Sequence, residues 1–307
     1  MTDLAELPPG LTVFERGWLS SNNVLFHGTG PTALVDSGYC THAGQTLALV
    51  RQALGGRSLD LLLNTHLHSD HCGGNAVLQC EYESLETRIP PGVAERVRNW
   101  DPVALTYVPT GQQCPRFRID ALLEPGSEVL LGERHWQVHA APGHDAHSVI
   151  LFEPRSRNLI SADALWENGF GVIFQELEGE DAFDDVAKTL DVIESLRPLA
   201  VIPGHGKVFT GVGQALANAR RRLDGFVRDP TKHAAHAAKV LLKFKLLELQ
   251  RLQVTEFARW AAATPYFVLV HRLWFSGVDL TTWIGQLADD LVRSGAAARD
   301  GDSIQNL

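Results

Sequence analysis

Cysteine is scarce in this chain: four residues in 307, Cys40, Cys72, Cys80 and Cys114, with no C-x-x-C pair among them. Their spacing excludes a disulfide framework and a cysteine-built structural zinc site, so reduced thiols in a cytoplasmic protein are expected. No run of 18 apolar residues occurs, and no membrane-spanning helix is expected. The opening stretch, M-T-D-L-A-E-L-P-P-G, is acidic and lacks the apolar core of a secretory signal. Positive charge is also sparse over most of the chain. Residues 1–216 carry 14 Lys and Arg against 27 Asp and Glu, a net of −13; residues 217–307 carry 13 against 9, a net of +4. So acidic a first part argues against nucleic acid, whose phosphates need a basic footprint. A small-molecule substrate is the expectation that remains.

What is present suits a globular protein. At 45% hydrophobic and 21% charged, the chain can bury a full core, and its length suggests two domains or one with an extension. The densest chemistry lies in seven residues, T-H-L-H-S-D-H, from Thr65 to His71. They follow Leu59-Asp60-Leu61-Leu62-Leu63-Asn64, a short apolar run that predicts a buried strand ending where the polar cluster begins. A lone histidine there would be an ordinary loop residue. His66, His68, Asp70 and His71 together supply imidazoles and a carboxylate, the donors that a borderline metal such as zinc prefers.

Three further apolar runs end in the same way. Trp136–Ala141 leads to Pro142-Gly143-His144, Leu159–Ala162 leads to Asp163, and Leu199–Gly204 leads to His205. Strand ends that converge on one edge of a sheet are where ligand sites are built. Between these strands, spacing predicts helices over about 43–54, 93–100 and 182–196, while 101–118 shows no clear period and reads as a loop near the site mouth.

The ordered set H-x-H-x-D-H, P-G-H, S-A-D and P-G-H-G resembles the metallo-β-lactamase superfamily over roughly residues 12–212. The resemblance implies an α/β fold, the αββα sandwich, with two divalent metals at one edge, zinc first and iron or manganese as alternatives. It places His66, His68 and His144 on one metal, Asp70, His71 and His205 on the other, and Asp163 between them. Asp36, in L-V-D-S-G, falls where the family keeps a carboxylate that orients a ligand imidazole, though a strand-end cap explains it equally. His147 is either a pocket residue or a surface one. Three histidines leave a tetrahedral zinc with an open position, the mark of a catalytic site. Two metals about 3.5–4 Å apart share a hydroxide as nucleophile, and Asp70 is positioned to pass a proton to the leaving group. A bridging aspartate is absent from true β-lactamases of the superfamily. The chain therefore looks more like its hydroxyacylglutathione hydrolase and lactonase side, acting on a carboxylic (thio)ester or lactone. A phosphodiester or RNA hydrolase is the alternative substrate class, and a mononuclear iron enzyme of the sulfur dioxygenase type the alternative chemistry. Trp166, Phe170 and Phe174, just past the bridge, suit either an apolar acyl pocket or the packing of a loop.

The expected division is a catalytic domain over 1–216 and a helical extension over 217–307. Helical patterns run over 221–226, 235–252 and 280–294, and the ending L-V-R-S-G-A-A-A-R-D-G-D-S-I resembles the helix and wing of a winged-helix-like extension. Such a tail covers the active-site face or serves a homodimer more readily than it binds DNA.

Overall fold

The computed structural model describes residues 7–307, so the opening through residue 6, with most of the signal-sequence reading, lies outside the described residues. Two sheets lie face to face. The first takes the order β1 (Leu11–Phe14), β2 (Asn23–Phe26), β3 (Ala33–Val35), β4 (Leu61–Leu63), β5 (Glu86–Ile89) and β6 (Ala121–Leu122), antiparallel as far as β3 and parallel beyond. The second runs, from edge to edge, β11 (Ala200–Pro203), β10 (Asn158–Ala162), β9 (Val149–Glu153), β8 (Arg134–Ala140) and β7 (Glu128–Leu131), with only β10 and β11 parallel.

Why the central strands are apolar throughout follows from their period of two. Leu61 and Leu63 enter the core between the sheets with Val24, Val35, Trp136 and Leu151. Leu62, pointing the other way, joins Leu25 and Leu34 beneath helix α1 (Ala43–Leu54). On the second sheet Leu151, Ile160 and Ile202 face inward. Ile150, Leu159 and Val201 face outward against Val186, Leu190 and Ile193 of a later helix. Helices therefore cover both outer faces, and the expected αββα sandwich is the observed architecture.

The segments between strands carry α2 (Ser69–Cys72), α3 (Asn75–Glu81), α4 (Ala94–Asn99), α5 (Tyr107–Thr110), α6 (Phe174–Glu178) and α7 (Phe183–Leu196). The loop expected over 101–118 thus contains one helical turn, α5. Helix α8 (Val212–Arg228) starts earlier than the 221–226 pattern suggested, and the expected boundary at 216 falls inside it. Its buried residues, from Val212 through Leu216 and Leu223 to Phe226, all belong to the core beneath the second sheet.

Asp229 caps α9 (Pro230–Leu249) by accepting from the Lys232 N–H at 3.2 Å, with Pro230 in the first turn where its missing N–H costs nothing. The tail continues as β12 (Arg251–Gln253), α10 (Val254–Ala263), α11 (Pro265–Trp274), α12 (Leu280–Arg293), β13 (Ala297–Asp300) and β14 (Ser303–Asn306). Residues 251 and 252, expected to prolong the long helix, instead belong to β12, which pairs with β14; β14 also pairs with β13 in a hairpin turned at Gly301. Leu242, Leu246, Phe257, Phe267, Ile284 and Leu287 give this region its own core. No helix among the described residues is long and apolar enough to cross a membrane.

Candidate metal centre

The first ligand run sits where β4 ends. His66 and His68 lie in the turn after the strand. The single turn α2 then brings Asp70 and His71 around, with the His71 N–H on the His68 carbonyl at 2.9 Å. His144 follows β8, Asp163 follows β10 and His205 follows β11, so all seven sequence-predicted residues meet at one edge of the sandwich. Their potential ligand atoms form three overlapping groups, each within 4.8 Å: His66, His68 and His144; His66, His71 and Asp163; Asp70, His71 and His205. One carboxylate oxygen is common ground. Asp163 Oδ2 lies 3.4 Å from His144 Nε2, 3.6 Å from His71 Nε2 and 3.8 Å from His205 Nε2.

The ring orientations follow from a buried network. Asp36 is almost wholly buried; its Oδ1 accepts the Thr65 N–H at 2.9 Å, and its Oδ2 accepts the Thr65 hydroxyl at 2.8 Å and His71 Nδ1–H at 2.8 Å. With its proton given to Asp36, Thr65 Oγ1 accepts His66 Nδ1–H at 3.1 Å. Nδ1 of His144 donates to the Val172 carbonyl at 2.5 Å. In each ring Nδ1 is engaged as the donor, which leaves Nε2 turned toward the cluster. The Nε2 atoms of His66 and His71 are buried and have no hydrogen-bond partner among the described residues. Orphaned buried nitrogens are costly unless something binds them, and this donor set fits divalent metal ions.

The titration directions agree. Burial first, then neighbouring histidines, holds His66 well below its ordinary value; burial pushes His68 and His144 down to about 4. Those three rings are therefore neutral at pH 7, the ligating form. Burial lowers His71 too, but Asp36, Asp163 and Asp70 outweigh it and raise the group well above its ordinary range. Burial raises Asp163, yet His205 and His71 overcome that and hold it well below the usual carboxylate range. Without an ion the surrounding carboxylates favour the protonated form of His71; a metal would supply that positive charge instead.

Local backbone geometry aims these groups. The register between β10 and β11 shifts between Ile160 and Ala162, a bulge that turns Asp163 into the site. Ala162 (φ 46°) and Asp36 (φ 59°) both adopt left-handed conformations, each at a cost of roughly 1–3 kcal/mol. Gly204 is required by close approach: a Cβ there would lie 2.1 Å from Asp163 Oδ1. Gly171 is required likewise, since its Cβ would lie 2.3 Å from His144 Nδ1.

A cavity of about 450 Å³ opens above the cluster. Trp166, Phe170 and Phe174 line it, while Phe170 and Phe174 also pack into hydrophobic cores, so both readings describe them, and Trp166 does more: its indole N–H donates to Asp163 Oδ1 at 3.1 Å. The tail forms the opposite wall. His236, Val240 and Phe244, spaced by four on α9, line the cavity, while Ala234, Ala238, Leu242 and Leu246 of the same helix enter the tail core. His147 is exposed, packs against Gly92 and does not line the cavity. Sequence reasoning missed Trp18, whose ring stacks on His205 with centroids 5.3 Å apart and planes at 13°. It missed Asn22 as well, whose side-chain N–H groups hold the Pro203 and Gly206 carbonyls on either side of His205 at 2.9 and 2.7 Å. Neither sits in a motif, and only the fold brings them to the site.

A two-sheet sandwich with a histidine–aspartate cluster at one edge defines a class of metal-binding proteins. Residues 16–205 match the metallo-beta-lactamase superfamily, and the chain belongs to it. It is 30% identical over 206 residues to a hydroxyacylglutathione hydrolase of Mesorhizobium japonicum, covering 67% of this chain and 66% of that protein. A second hydroxyacylglutathione hydrolase, from Brucella anthropi, is 26% identical over 208 residues, covering 66% and 62%. The chain thus spans just under two thirds of the length of these relatives. Over nearly its whole length, 98% of this chain and 100% of the other, it shares the fold of a metallo-beta-lactamase family protein from Thermus thermophilus, with TM-score 0.58 and 18% identity.

Proposed function

We propose that this protein is a dinuclear metal-dependent hydrolase of carboxylic thioesters, esters or lactones. The observation that carries the reading is the central place of Asp163 Oδ2, within 3.4–3.8 Å of Nε2 of His144, His71 and His205, where one carboxylate can serve two neighbouring ions. His66, His68 and His144 would hold one ion; Asp70, His71 and His205 the other. Bound divalent metals, zinc foremost, supply an activated water at neutral pH and polarise the carbonyl oxygen. The chain's own residues do the remainder. Asp36 and Thr65 fix the imidazole tautomers, and Trp166 holds the free oxygen of Asp163. Phe170, Phe174, Val240 and Phe244 give the acyl or leaving group an apolar surface and keep bulk water away. Asp70 Oδ2, 3.1 Å from His205 Nε2 and lining the cavity, would take the proton that the attacking water releases and pass it to the departing thiolate or alkoxide. The two relatives named above support the thioester class.

The test is elemental analysis of purified protein, followed by a screen of thioester, lactone and phosphodiester substrates on the metal-loaded form. About two zinc or manganese ions per chain with turnover of a thioester or lactone is the expected result. One ion per chain, unchanged by excess metal, would refute the dinuclear assignment. Iron with oxygen-dependent turnover would identify an oxidoreductase instead.

A further inference from the structure

Among the described residues Arg222 is a cation without an anion. Its guanidinium, on α8, is drawn in against Phe170 and Phe226, 5.5 and 5.4 Å from the ring centroids. A guanidinium carries five N–H donors and no acceptor. The one hydrogen bond Arg222 makes among the described residues runs from Nη2 to Nε2 of His236, at 2.6 Å. An imidazole nitrogen that accepts belongs to a neutral ring, and burial followed by the Arg222 charge pushes His236 down to about 3. His236 therefore orients the guanidinium without neutralising it.

Arg134 and Lys245, also drawn toward the interior, have carboxylates, Glu153 at 2.9 Å and Glu248 at 2.7 Å, and Arg16 spreads its N–H groups over the oxygens of Asn23, Thr46 and Gln45. Among the described residues Arg222 has neither a carboxylate nor an oxygen acceptor. Glu167, the carboxylate of the cavity lining outside the metal cluster, forms no ion pair with it. A partly desolvated charge left in this way is costly unless its partner arrives with a ligand.

Position supports that role. Arg222 and His236 both line the cavity above the metal cluster. A Cβ on Gly169 would lie 2.8 Å from Arg222 Nη1, and one on Gly171 would lie 2.3 Å from His144 Nδ1. Two residues of chain span at most ~7 Å, so the guanidinium and the ligand histidine flank a strap shorter than a small metabolite.

We propose that Arg222, oriented by His236, is an anion subsite, and that the substrate carries a carboxylate or phosphate at the end remote from its scissile carbonyl. The substrate part of this inference rests on the hydrolase reading above; the subsite itself does not. The exposed Lys207 adds positive charge to the cavity lining, and the planar fork of Arg222 suits bidentate binding of either oxyanion.

The subsite is tested by calorimetric titration of the purified metal-containing protein with glutarate, inorganic phosphate and, as neutral control, glutaramide; binding of an anion to the ions themselves is common to wild type and variant and cancels in the comparison. Wild type should bind at least one anion tenfold or more tightly than glutaramide, and the better anion identifies the group. Arg222→Gln should weaken that binding by roughly tenfold to a hundredfold, the scale of a charge-assisted hydrogen-bonded pair. Should that variant not fold, Arg222→Lys keeps the charge and stem and loses the fork. Unchanged affinity in either folded variant, or no preference for the anion in wild type, overturns the proposal. On the metal-loaded enzyme, the kcat/KM ratio of a carboxylate-ended thioester to its methyl ester should fall at least tenfold in Arg222→Gln. Arg222-dependent anion binding without hydrolysis of any ester would defeat the hydrolase reading and leave the subsite standing.

Discussion

Asp36→Asn tests how far the site depends on one tautomer. In the native network Oδ2 of Asp36 receives two protons, from Thr65 Oγ1 and His71 Nδ1, each at 2.8 Å, while Oδ1 receives the Thr65 N–H at 2.9 Å. An asparagine of the same shape must put its NH₂ group at one of these places. Toward Thr65 N–H, it sets donor against donor. Toward His71, it drives the imidazole to carry its proton on Nε2, the atom that faces Asp163 and Asp70. Either way one buried donor loses its acceptor and the remaining bonds lose their charge, a cost of about 2–4 kcal/mol. Stability of a typical domain is roughly 5–15 kcal/mol, so the variant should fold. Its affinity for the ion assigned to Asp70, His71 and His205 should fall about 10- to 100-fold, the scale of outer-shell changes. Chelator competition followed by elemental analysis reads this directly, with urea unfolding as the stability control. Two metals held with wild-type affinity would show that Asp36 does not set the His71 tautomer.

Other outcomes follow from the same geometry. Asp163→Ala should cost on the order of 10²-fold or more in metal affinity or turnover, with the Asp70–His71–His205 ion lost first in a chelator titration; two tightly held metals and near-normal turnover would put the bridge elsewhere. His233, buried with Nε2 accepting the Ile173 N–H, is pushed down to about 4 by burial and then by Arg222. Because the folded value lies below the unfolded ~6.5, its stability contribution is intact above pH 6.5 and declines toward pH 4 by up to ~1.4 kcal/mol per pH unit. Urea midpoints for His233→Asn measured across that window should fall less steeply than wild type, and parallel slopes would refute the assignment. Deleting residues from Asp229 onward should strip the cavity of Val240 and Phe244 and expose Val172 and Leu177, which pack into the tail core. A soluble monomeric truncation with an unchanged substrate profile would count against a role for the tail in substrate choice.

The ligand run was legible because ligation fixes both residue type and spacing, and because the strands before His66, Asp163 and His205 are buried on both faces, while β8, before His144, alternates. Strand β5 was less visible. Its sequence Glu86-Thr87-Arg88-Ile89 is half charged, and only the alternation of half-buried and buried positions marks it as a strand. Leu252 illustrates the opposite error: it prolongs an apolar helical period, but the chain leaves α9 at Gln250 (φ 64°) and the next three residues pair with β14. Trp18, Asn22, Arg222 and His236 reach the site through tertiary packing, and local pattern carries no record of that. The long amphipathic run was seen, but which of its apolar residues would wall the cavity depended on how α9 sits against the sandwich.

The seven clustered side chains are shared between the two sheets. His66, His68, Asp70 and His71 hang from the first, whereas His144, Asp163 and His205 hang from the second. Ions held by such a set act as rivets through the sandwich. They close loops between segments far apart in the chain, and the entropy of those loops would otherwise favour opening. With ions bound, the sheets would not slide or part at this edge until an ion had left. Metal loss and unfolding should then share a rate-limiting event, and the lifetime of the folded protein should follow the off-rate of its ions more closely than its equilibrium stability.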